Sequence, residues 1–106
     1  DILVVSLSED VVIELDTGSA FRGGGDVLAI LEQCAGRVKA IHLKPHSRTL
    51  GTQALIGEDD LPWQEILHLC HTVAGTEWLV VEYESDAYPR MEAVRRCLDV
   101  LKTMVE

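Results

Sequence analysis

The sequence predicts an α/β protein built on a parallel sheet. Three segments rich in apolar and β-branched residues alternate with three longer segments whose apolar residues recur at helical spacing. Each strand is therefore followed by its own helix. Strands that alternate with helices of this length form βαβ units, in which neighbouring strands run parallel and the crossovers are right-handed.

The first unit begins with the strand VVIEL at residues 11–15 and continues, after the loop DTGSAFRGGG, into a helix. Asp26 is placed to cap the N-terminus of this helix, and Gly36 is placed to end it in the left-handed conformation. Apolar residues spaced three and four apart predict one buried face between these two positions. That face contains Val27, Leu28, Ile30, Leu31 and Cys34.

The second unit has the strand VKAIHL at residues 38–43, followed by a long polar loop at 44–60. The helix after the loop ends at Gly75. Asp60 is the expected N-cap of this helix, and Pro62 lies in its first turn, where a missing N–H is tolerated.

The third unit contains the most apolar strand, EWLVVEYE at residues 77–84, and a final helix, RMEAVRRCLDVLKTM. The opening segment DILVVSL fits either a strand or the end of a helix. We expect the final helix to pack one apolar face against the sheet. The expected face consists of Met91, Val94, Leu98, Leu101 and Val105.

Three parallel strands are too few for a stable sheet of their own, and two architectures would supply the missing neighbours. One is an open doubly wound sheet, and the other is a closed eight-stranded barrel. Composition does not choose between them. In either case we expect self-association that covers the sheet, or further strands outside residues 1–106.

Composition is typical of globular material and excludes some partners. The chain of 106 residues is one domain at most, or a piece of one, with 47% hydrophobic and 25% charged residues. Its 18 acidic and 9 basic residues give a formal net charge of -9. Because binding to a phosphate backbone needs clustered Lys and Arg, we expect no nucleic-acid partner. The sequence also contains no apolar run long enough for a membrane span, so we expect no membrane association.

The cysteines indicate a reducing compartment. Cys34, Cys70 and Cys97 are odd in number, lie far apart and form no CxxC pair. This usage is typical of reduced thiols packed in a cytoplasmic protein rather than of a disulfide framework. We therefore expect a cytoplasmic location.

Each unit places one metal-competent side chain at or near the C-terminal end of its strand. These are Asp16, His42 and Glu82. The C-terminal ends of parallel strands lie on one side of the sheet, and two carboxylates with an imidazole suit a divalent cation with open positions. Ordinary interpretations remain, since Asp16 is also a good turn former and His42 a good core residue. Glu82 is the most diagnostic, because burying an unpaired carboxylate is costly.

Four segments resemble, in order, the C-terminal motifs of the sugar phosphate isomerase/epimerase family. They are ELDTGSAFRGGGD, GRVKAIHLKPHSR, GEDDLPWQEIL and WLVVEYE, and the resemblance extends over nearly the whole chain. The ordered set is specific, although each motif alone is weak. The family has a xylose-isomerase-like TIM-barrel fold. The resemblance implies that residues 1–106 are one partial domain, the last three parallel βα units of a (β/α)8 barrel, without the N-terminal half-barrel.

The resemblance also implies a metal site. Family members hold a divalent cation, often manganese, with Glu, Asp, His and Glu from successive late strands; magnesium, cobalt or zinc are alternatives. Asp16, His42 and Glu82 match the last three of these ligands, and the first Glu would lie upstream. Glu82 would also serve as a catalytic acid or base.

Three further residues are expected to contact substrate. Arg48 matches an Arg that follows the metal-binding His by six residues in the epimerases. Ser19 stands where many members have a substrate-side His. Lys44 flanks the metal motif, and Pro45 follows it where many members have Asp, so the two motifs depart from the family pattern on the substrate side.

The resulting hypothesis is a metal-dependent isomerase or epimerase of sugars or sugar phosphates that acts through an enediolate. The chain alone is expected to be inactive, because the first metal ligand is missing. A dehydratase of a keto-inositol-type polyol on the same fold is one alternative. A non-catalytic fragment or assembly module is another.

Two other motifs have competing interpretations. FRGGGD, with Arg22 and three glycines before a helix, is compatible with a phosphate cradle but lacks a Walker or Rossmann pattern, which favours a flexible loop. HLCH at residues 68–71 contains zinc-ligand residue types, but it lies within a helix. His46, near Lys44, is placed either to meet an anionic substrate group or to face solvent.

Overall fold

The fold is α/β, seen in a computed structural model that describes residues 13–104. One sheet of three parallel strands has the order β1-β2-β3. The strands are β1 (Ile13–Asp16), β2 (Val38–Leu43) and β3 (Trp78–Val81). The helices are α1 (Thr17–Arg22), α2 (Val27–Gln33), α3 (Trp63–Thr72) and α4 (Arg90–Met104). The predicted parallel α/β class is confirmed, while the start of the first strand, the opening segment and Val105 lie outside the described residues.

The strand register aligns the carboxyl ends of the sheet. Asp16 pairs with His42, and His42 pairs with Val80. Partners in parallel strands point to the same face, so these three side chains share one face of the sheet. Leu15 pairs with Ile41 on the opposite face, where both are buried.

Helices cover the second face of β1 and β2 and form the core with it. The predicted face of α2 is confirmed, because Val27, Leu31 and Cys34 are buried there. The core continues through α3, whose buried residues are Trp63, Ile66, Leu67 and Cys70. In contrast, three consecutive residues of β3 are exposed, Trp78 by 69%, Leu79 by 50% and Val80 by 43%. Successive strand residues point to opposite faces, so β3 is exposed on both.

No helix within residues 13–104 has both the length and the apolar character needed to cross a bilayer. All three cysteines are free and buried, as the sequence predicts. Burial raises the pKa of each thiol, of Cys34, Cys70 and Cys97 alike. A raised pKa leaves little thiolate at neutral pH, so these side chains act as packing residues.

Helix α1 replaces part of the loop that was predicted after the first strand. The Asp16 Oδ1 atom accepts the Ser19 backbone N–H at 3.0 Å, which is the N-cap interaction that starts a helix. Gly18 allows α1 to approach the end of β2, because a Cβ at this position would lie 3.0 Å from the Lys44 carbonyl oxygen. The helix is too short to show apolar periodicity, which explains why the pattern did not reveal it.

The 44–60 segment, predicted to be a polar loop, contains apolar residues that are buried. Ala54, Leu55 and Ile56 are buried in the core, and Ser47 forms an antiparallel bridge with Gly51. The prediction that Asp60 caps the next helix is wrong. Its carboxylate accepts the Arg48 backbone N–H at 2.5 Å, and α3 begins at Trp63 without a side-chain cap.

The buried face of α4 also differs from the prediction. Ala93, Cys97 and Leu101, spaced four apart, are buried, whereas Met91 is 81% exposed and Leu98 is 39% exposed. Small side chains at two of these positions let the helix approach the core closely. Of the predicted face, Leu101 is buried and Val94 packs partly buried against the core, whereas Met91 and Leu98 lie on a more exposed stripe.

We expect Asp59 to be essential for the packing of the segment before α3. Its carboxylate accepts the indole N–H of Trp63 at 2.8 Å and the backbone N–H groups of Gly57 and His46 at 3.2 and 3.3 Å. Trp63 is only 3% exposed. Asp59→Ala leaves this buried N–H without its acceptor and should lower the free energy of unfolding by about 2–3 kcal/mol in urea titrations.

The exposed Asp86 provides the matched control, since Asp86→Ala should cost less than about 0.5 kcal/mol. Asp59→Asn keeps an acceptor oxygen and should recover most of the loss. An Asp59→Ala variant as stable as the parent chain would contradict this account.

Candidate functional site

Polar side chains cluster where the three strands end. Each strand, or the segment directly after it, contributes two residues that are two positions apart, a spacing that places both on one face of an extended chain. The six residues are Glu14 and Asp16 from β1, His42 from β2 with Lys44 directly after it, and Glu82 and Glu84 after β3. We call them the strand-end cluster. It contains four carboxylates, one imidazole and one ammonium group.

His42 lies between two carboxylates. Its Nδ1 atom is 2.7 Å from Glu82 Oε1, and its Nε2 atom contacts Glu14 Oε1. The hydrogen bond to Glu82 raises the pKa of His42, and the contact with Glu14 adds to this effect against the opposing effect of burial. Both ring nitrogens donate only when the imidazole is protonated, so the arrangement favours the imidazolium form.

Lys44 forms the centre of the cluster. Its Nζ atom lies 2.8 Å from Glu84 Oε1, 2.9 Å from Asp16 Oδ2 and 3.6 Å from Glu82 Oε2. The side chain is only 8% exposed. Burial by itself would lower the pKa of Lys44, but the hydrogen bonds to Glu84 and Asp16 outweigh burial and raise this pKa far above its usual value. The ammonium is therefore a permanent cation that holds three strand ends together.

The same ion pairs act on the partners of Lys44. Burial would raise the pKa of Asp16, but the Ser19 backbone N–H and the Lys44 ammonium together lower it. The hydrogen bond from Lys44 also lowers the pKa of Glu84, although Glu84 is half exposed. Both carboxylates thus stay ionised at neutral pH.

Thr17 fixes the backbone that carries His42 and Lys44. Its fully buried hydroxyl accepts the Lys44 backbone N–H at 2.9 Å and lies 2.8 Å from the Lys44 carbonyl oxygen, to which it donates. Because the Thr17 hydroxyl both donates and accepts a hydrogen bond, its burial does not leave an unpaired polar group in the core. The first turn of α1 is in this way joined to the end of β2.

The cluster has the donor types of a divalent-cation site. Carboxylate oxygens and an imidazole nitrogen suit manganese or magnesium, and the expected ligands Asp16, His42 and Glu82 are all present at the strand ends. Over residues 13–104, however, no three His, Cys, Asp or Glu side chains surround a common point. The reason is that Lys44 holds Asp16 and Glu82, and both nitrogens of His42 contact carboxylates.

The expected substrate contacts lie in different surroundings. Lys44 is within the cluster. Ser19 is exposed in α1 and donates its backbone N–H to Asp16. The guanidinium of Arg48 lies over the ring of Phe21, 4.9 Å from its centroid. His68 and His71, in the HLCH segment, are exposed on α3.

Sequence reasoning missed Glu14, Thr17 and Glu84. Glu14 and Glu84 each lie two positions from a residue that was recognised, so strand periodicity was the signal that identifies them. Thr17 carried no such signal, because its role depends on α1 forming beside the end of β2.

The raised pKa of His42 predicts a pH dependence of stability. Because protonated His42 is favoured in the folded state, its contribution is complete below the unfolded-state pKa of about 6.5 and is lost as pH rises through the higher folded-state value. The free energy of unfolding, measured by urea titration at a series of pH values, should therefore fall on going from mildly acidic to alkaline pH.

His42→Gln should remove this fall, whereas His71→Gln, at an exposed helical position, should retain it. The interpretation is wrong if the parent chain and the His42→Gln variant show the same pH dependence.

Removing the central cation should destabilise the fold. Lys44→Met leaves Asp16 and Glu84 without their counter-ion and Glu82 with His42 alone. It should cost about 2–4 kcal/mol, somewhat less than for fully buried pairs because the carboxylates are 30–50% exposed. The loss should shrink at acidic pH, where the carboxylates become protonated.

Lys39→Met is the control, because its ammonium is 3.7 Å from Glu77 and both side chains are largely exposed. We expect this change to cost less than about 1 kcal/mol. Equal losses for the two variants, at neutral pH and in the same denaturant, would contradict a central role for Lys44.

Neither a protein-family model nor a curated protein matches this chain. The likeness to sugar phosphate isomerases and epimerases therefore rests on the quoted motifs alone. The function has to be argued from the residues of the strand-end cluster.

Proposed function

We propose that this chain is part of a metal-dependent isomerase or epimerase of sugars or sugar phosphates. The observation that carries the proposal is the strand-end cluster, in which three adjacent parallel strands each present ionisable side chains on one face. In α/β proteins with parallel strands, active sites form at this end of the sheet. The resemblance to the family implies that such a cluster transfers a proton at the carbon beside the substrate carbonyl.

The barrel part of the proposal is supported by the exposure of β3. Trp78, Leu79 and Val80 are costly to leave in water on both faces of an edge strand of the described sheet. In a (β/α)8 barrel, a further strand would pair with β3, and the face that carries His42 would line the interior. Self-association of the chain is the alternative way to cover the same surface.

Glu82 is the residue we propose as the acid or base. Its carboxylate would take a proton from the carbon beside the substrate carbonyl, which gives an enediolate. Return of that proton to the neighbouring carbon completes an isomerisation, and protonation of the same carbon from the opposite face completes an epimerisation. His42 donates to Glu82 Oε1 at 2.7 Å and so fixes the direction of the carboxylate.

Positive charge in the cluster would stabilise the negative charge that develops on the substrate oxygens. Lys44 provides a fixed ammonium at 3.6 Å from Glu82 Oε2. A divalent cation, manganese first, held by Asp16, His42 and Glu82 would act as a Lewis acid on the carbonyl and hydroxyl oxygens. To bind it, Asp16 and Glu82 have to exchange their contacts with Lys44 for contacts with the metal. His42 has to lose a proton and give up one of its two carboxylate contacts.

Two alternative functions use the same residues. A dehydratase of a keto-inositol-type polyol would begin with the same proton abstraction and then lose a hydroxyl from the next carbon. A non-catalytic assembly module is favoured by one observation, that all four carboxylates of the cluster already contact Lys44 or His42. Structural ion networks perturb pKa values as catalytic sites do.

We place the protein in the cytoplasm on the basis of its three free, buried thiols.

Metal binding and proton exchange test the proposal separately. After treatment with a chelator, Mn²⁺ binding should be measurable by electron paramagnetic resonance. His42→Ala should weaken it at least about tenfold, since the loss of a residue that only orients a ligand already costs that much. His71→Ala is the matched control and should bind Mn²⁺ as the parent chain does. Equal binding by both variants would contradict the metal site.

Exchange of substrate C–H for deuterium in D₂O reports proton abstraction by isomerases, epimerases and dehydratases alike. Because the chain alone is expected to be inactive, the assay uses the parent protein that contains this chain. A panel of ketoses, aldoses and their phosphates should then reveal exchange that Glu82→Gln lowers at least about 100-fold, typical of removing a general base. No exchange with any member, or exchange that Glu82→Gln leaves unchanged, would favour the assembly module.

A further inference from the structure

A second polar site lies at the C-terminal end of α1, whereas the strand-end cluster lies at its N-terminal end. It is a cavity of about 270 Å³ lined by Phe21, Arg22, Gly24, Gly25, His46 and Arg48. The residues come from the end of α1, the glycine-rich turn after it and the segment after β2. We call it the arginine cavity.

The arginine cavity is basic in an acidic chain. Among the described residues, no carboxylate lies within ion-pair distance of the guanidinium of Arg22 or Arg48, whereas Lys39, Lys44 and Arg90 all have such partners. The chain has 18 acidic residues against 9 basic ones, so unpaired guanidinium groups on one cavity are not a consequence of a shortage of carboxylates. The cavity therefore offers positive charge to a ligand.

The ring of Phe21 contacts two side chains of the segment after β2, those of His46 and Arg48. Arg48 lies over the Phe21 ring at 4.9 Å, and the His46 ring is tilted by 56° against it with the centroids 5.8 Å apart. Stacking engages the face of a guanidinium and leaves its N–H edge free to donate. A planar donor edge suits the paired oxygens of a phosphate or carboxylate.

The glycine-rich turn shapes the cavity but does not supply its donors. The backbone N–H groups of Gly23, Gly24 and Gly25 donate to the carbonyls of Ser19, Phe21 and Ala20. The phosphate cradle suggested by FRGGGD is therefore not built from backbone amides. Gly24 has φ +85, and a Cβ there would meet nothing within 4 Å, so this position leaves the adjacent space open.

Two carboxylates lie beside an adjoining cavity, which also contacts Phe21, Gly25 and Arg48. They belong to Asp26 and Asp60. Each accepts a backbone N–H, Asp26 from Ala29 and Asp60 from Arg48. Since neither carboxylate forms an ion pair with Arg48, they do not neutralise its side chain.

We propose that the arginine cavity binds an anionic group of the substrate, a phosphate or a carboxylate, through Arg22, Arg48 and His46. Asp16 immediately precedes α1 and Arg22 ends it. The six residues of α1 span about 9 Å, comparable with the length of an extended sugar phosphate. Assignment of the anion to the substrate rests on the proposed function, whereas anion binding by the cavity does not.

Titration with inorganic phosphate and with acetate, followed by isothermal calorimetry, tests the cavity without any turnover. We expect saturable binding that Arg22→Gln and Arg48→Gln each weaken at least tenfold. Both side chains are exposed, so both variants should fold, which circular dichroism can check. Arg95→Gln, at an exposed position on α4, is the control and should bind as the parent chain does.

The two anions distinguish the ligand groups. Tighter binding of phosphate assigns a phosphoryl group, and tighter binding of acetate assigns a carboxylate. Absent binding of both anions, or binding that the Arg22 and Arg48 variants leave unchanged, overturns the proposal. Anion binding that depends on these arginines in a protein without proton exchange would leave the arginine cavity standing and remove only the isomerase function.

Discussion

The ion pairs of Lys44 are the interactions on which the strand-end cluster depends. Four carboxylates on one face of a small sheet repel one another, and a single largely buried ammonium contacts three of them, Asp16, Glu82 and Glu84. His42 offsets the fourth, Glu14, and shares Glu82 with Lys44. Without these cations, the register that brings the strand ends together would place four unscreened negative charges side by side.

Helix α1 couples this cluster to the arginine cavity. Its first residue, Thr17, bonds the backbone of Lys44, and its last residues, Phe21 and Arg22, line the cavity. The segment after β2 makes the same connection, since it carries Lys44 into the cluster and His46 to Phe21. A substitution in α1 or in the segment after β2 should therefore affect both sites. This coupling is expected if one ligand spans them.

The sequence predicted the elements whose periodicity and end signals agree. Asp26 caps α2 as expected, and the face containing Val27, Leu31 and Cys34 is buried. The predictions failed where a contact between residues far apart in the sequence determines the local structure. Asp60 bonds Arg48 instead of capping α3, and the Leu55–Ile56 pair in a nominally polar loop packs into the core. Local propensity is a weak guide at such positions, because tertiary contacts outweigh it.

The sequence by itself determined the parallel α/β class and the delivery of Asp16, His42 and Glu82 to one edge of the sheet, because strand alternation and parallel crossovers follow from local pattern and chain chirality. Only the tertiary structure decided which charges meet. Side-chain pairing depends on the register between strands and on the approach of α1, and neither is encoded within any one segment. The contacts of Lys44 with the carboxylates and of Arg48 with Phe21 therefore follow from the tertiary structure.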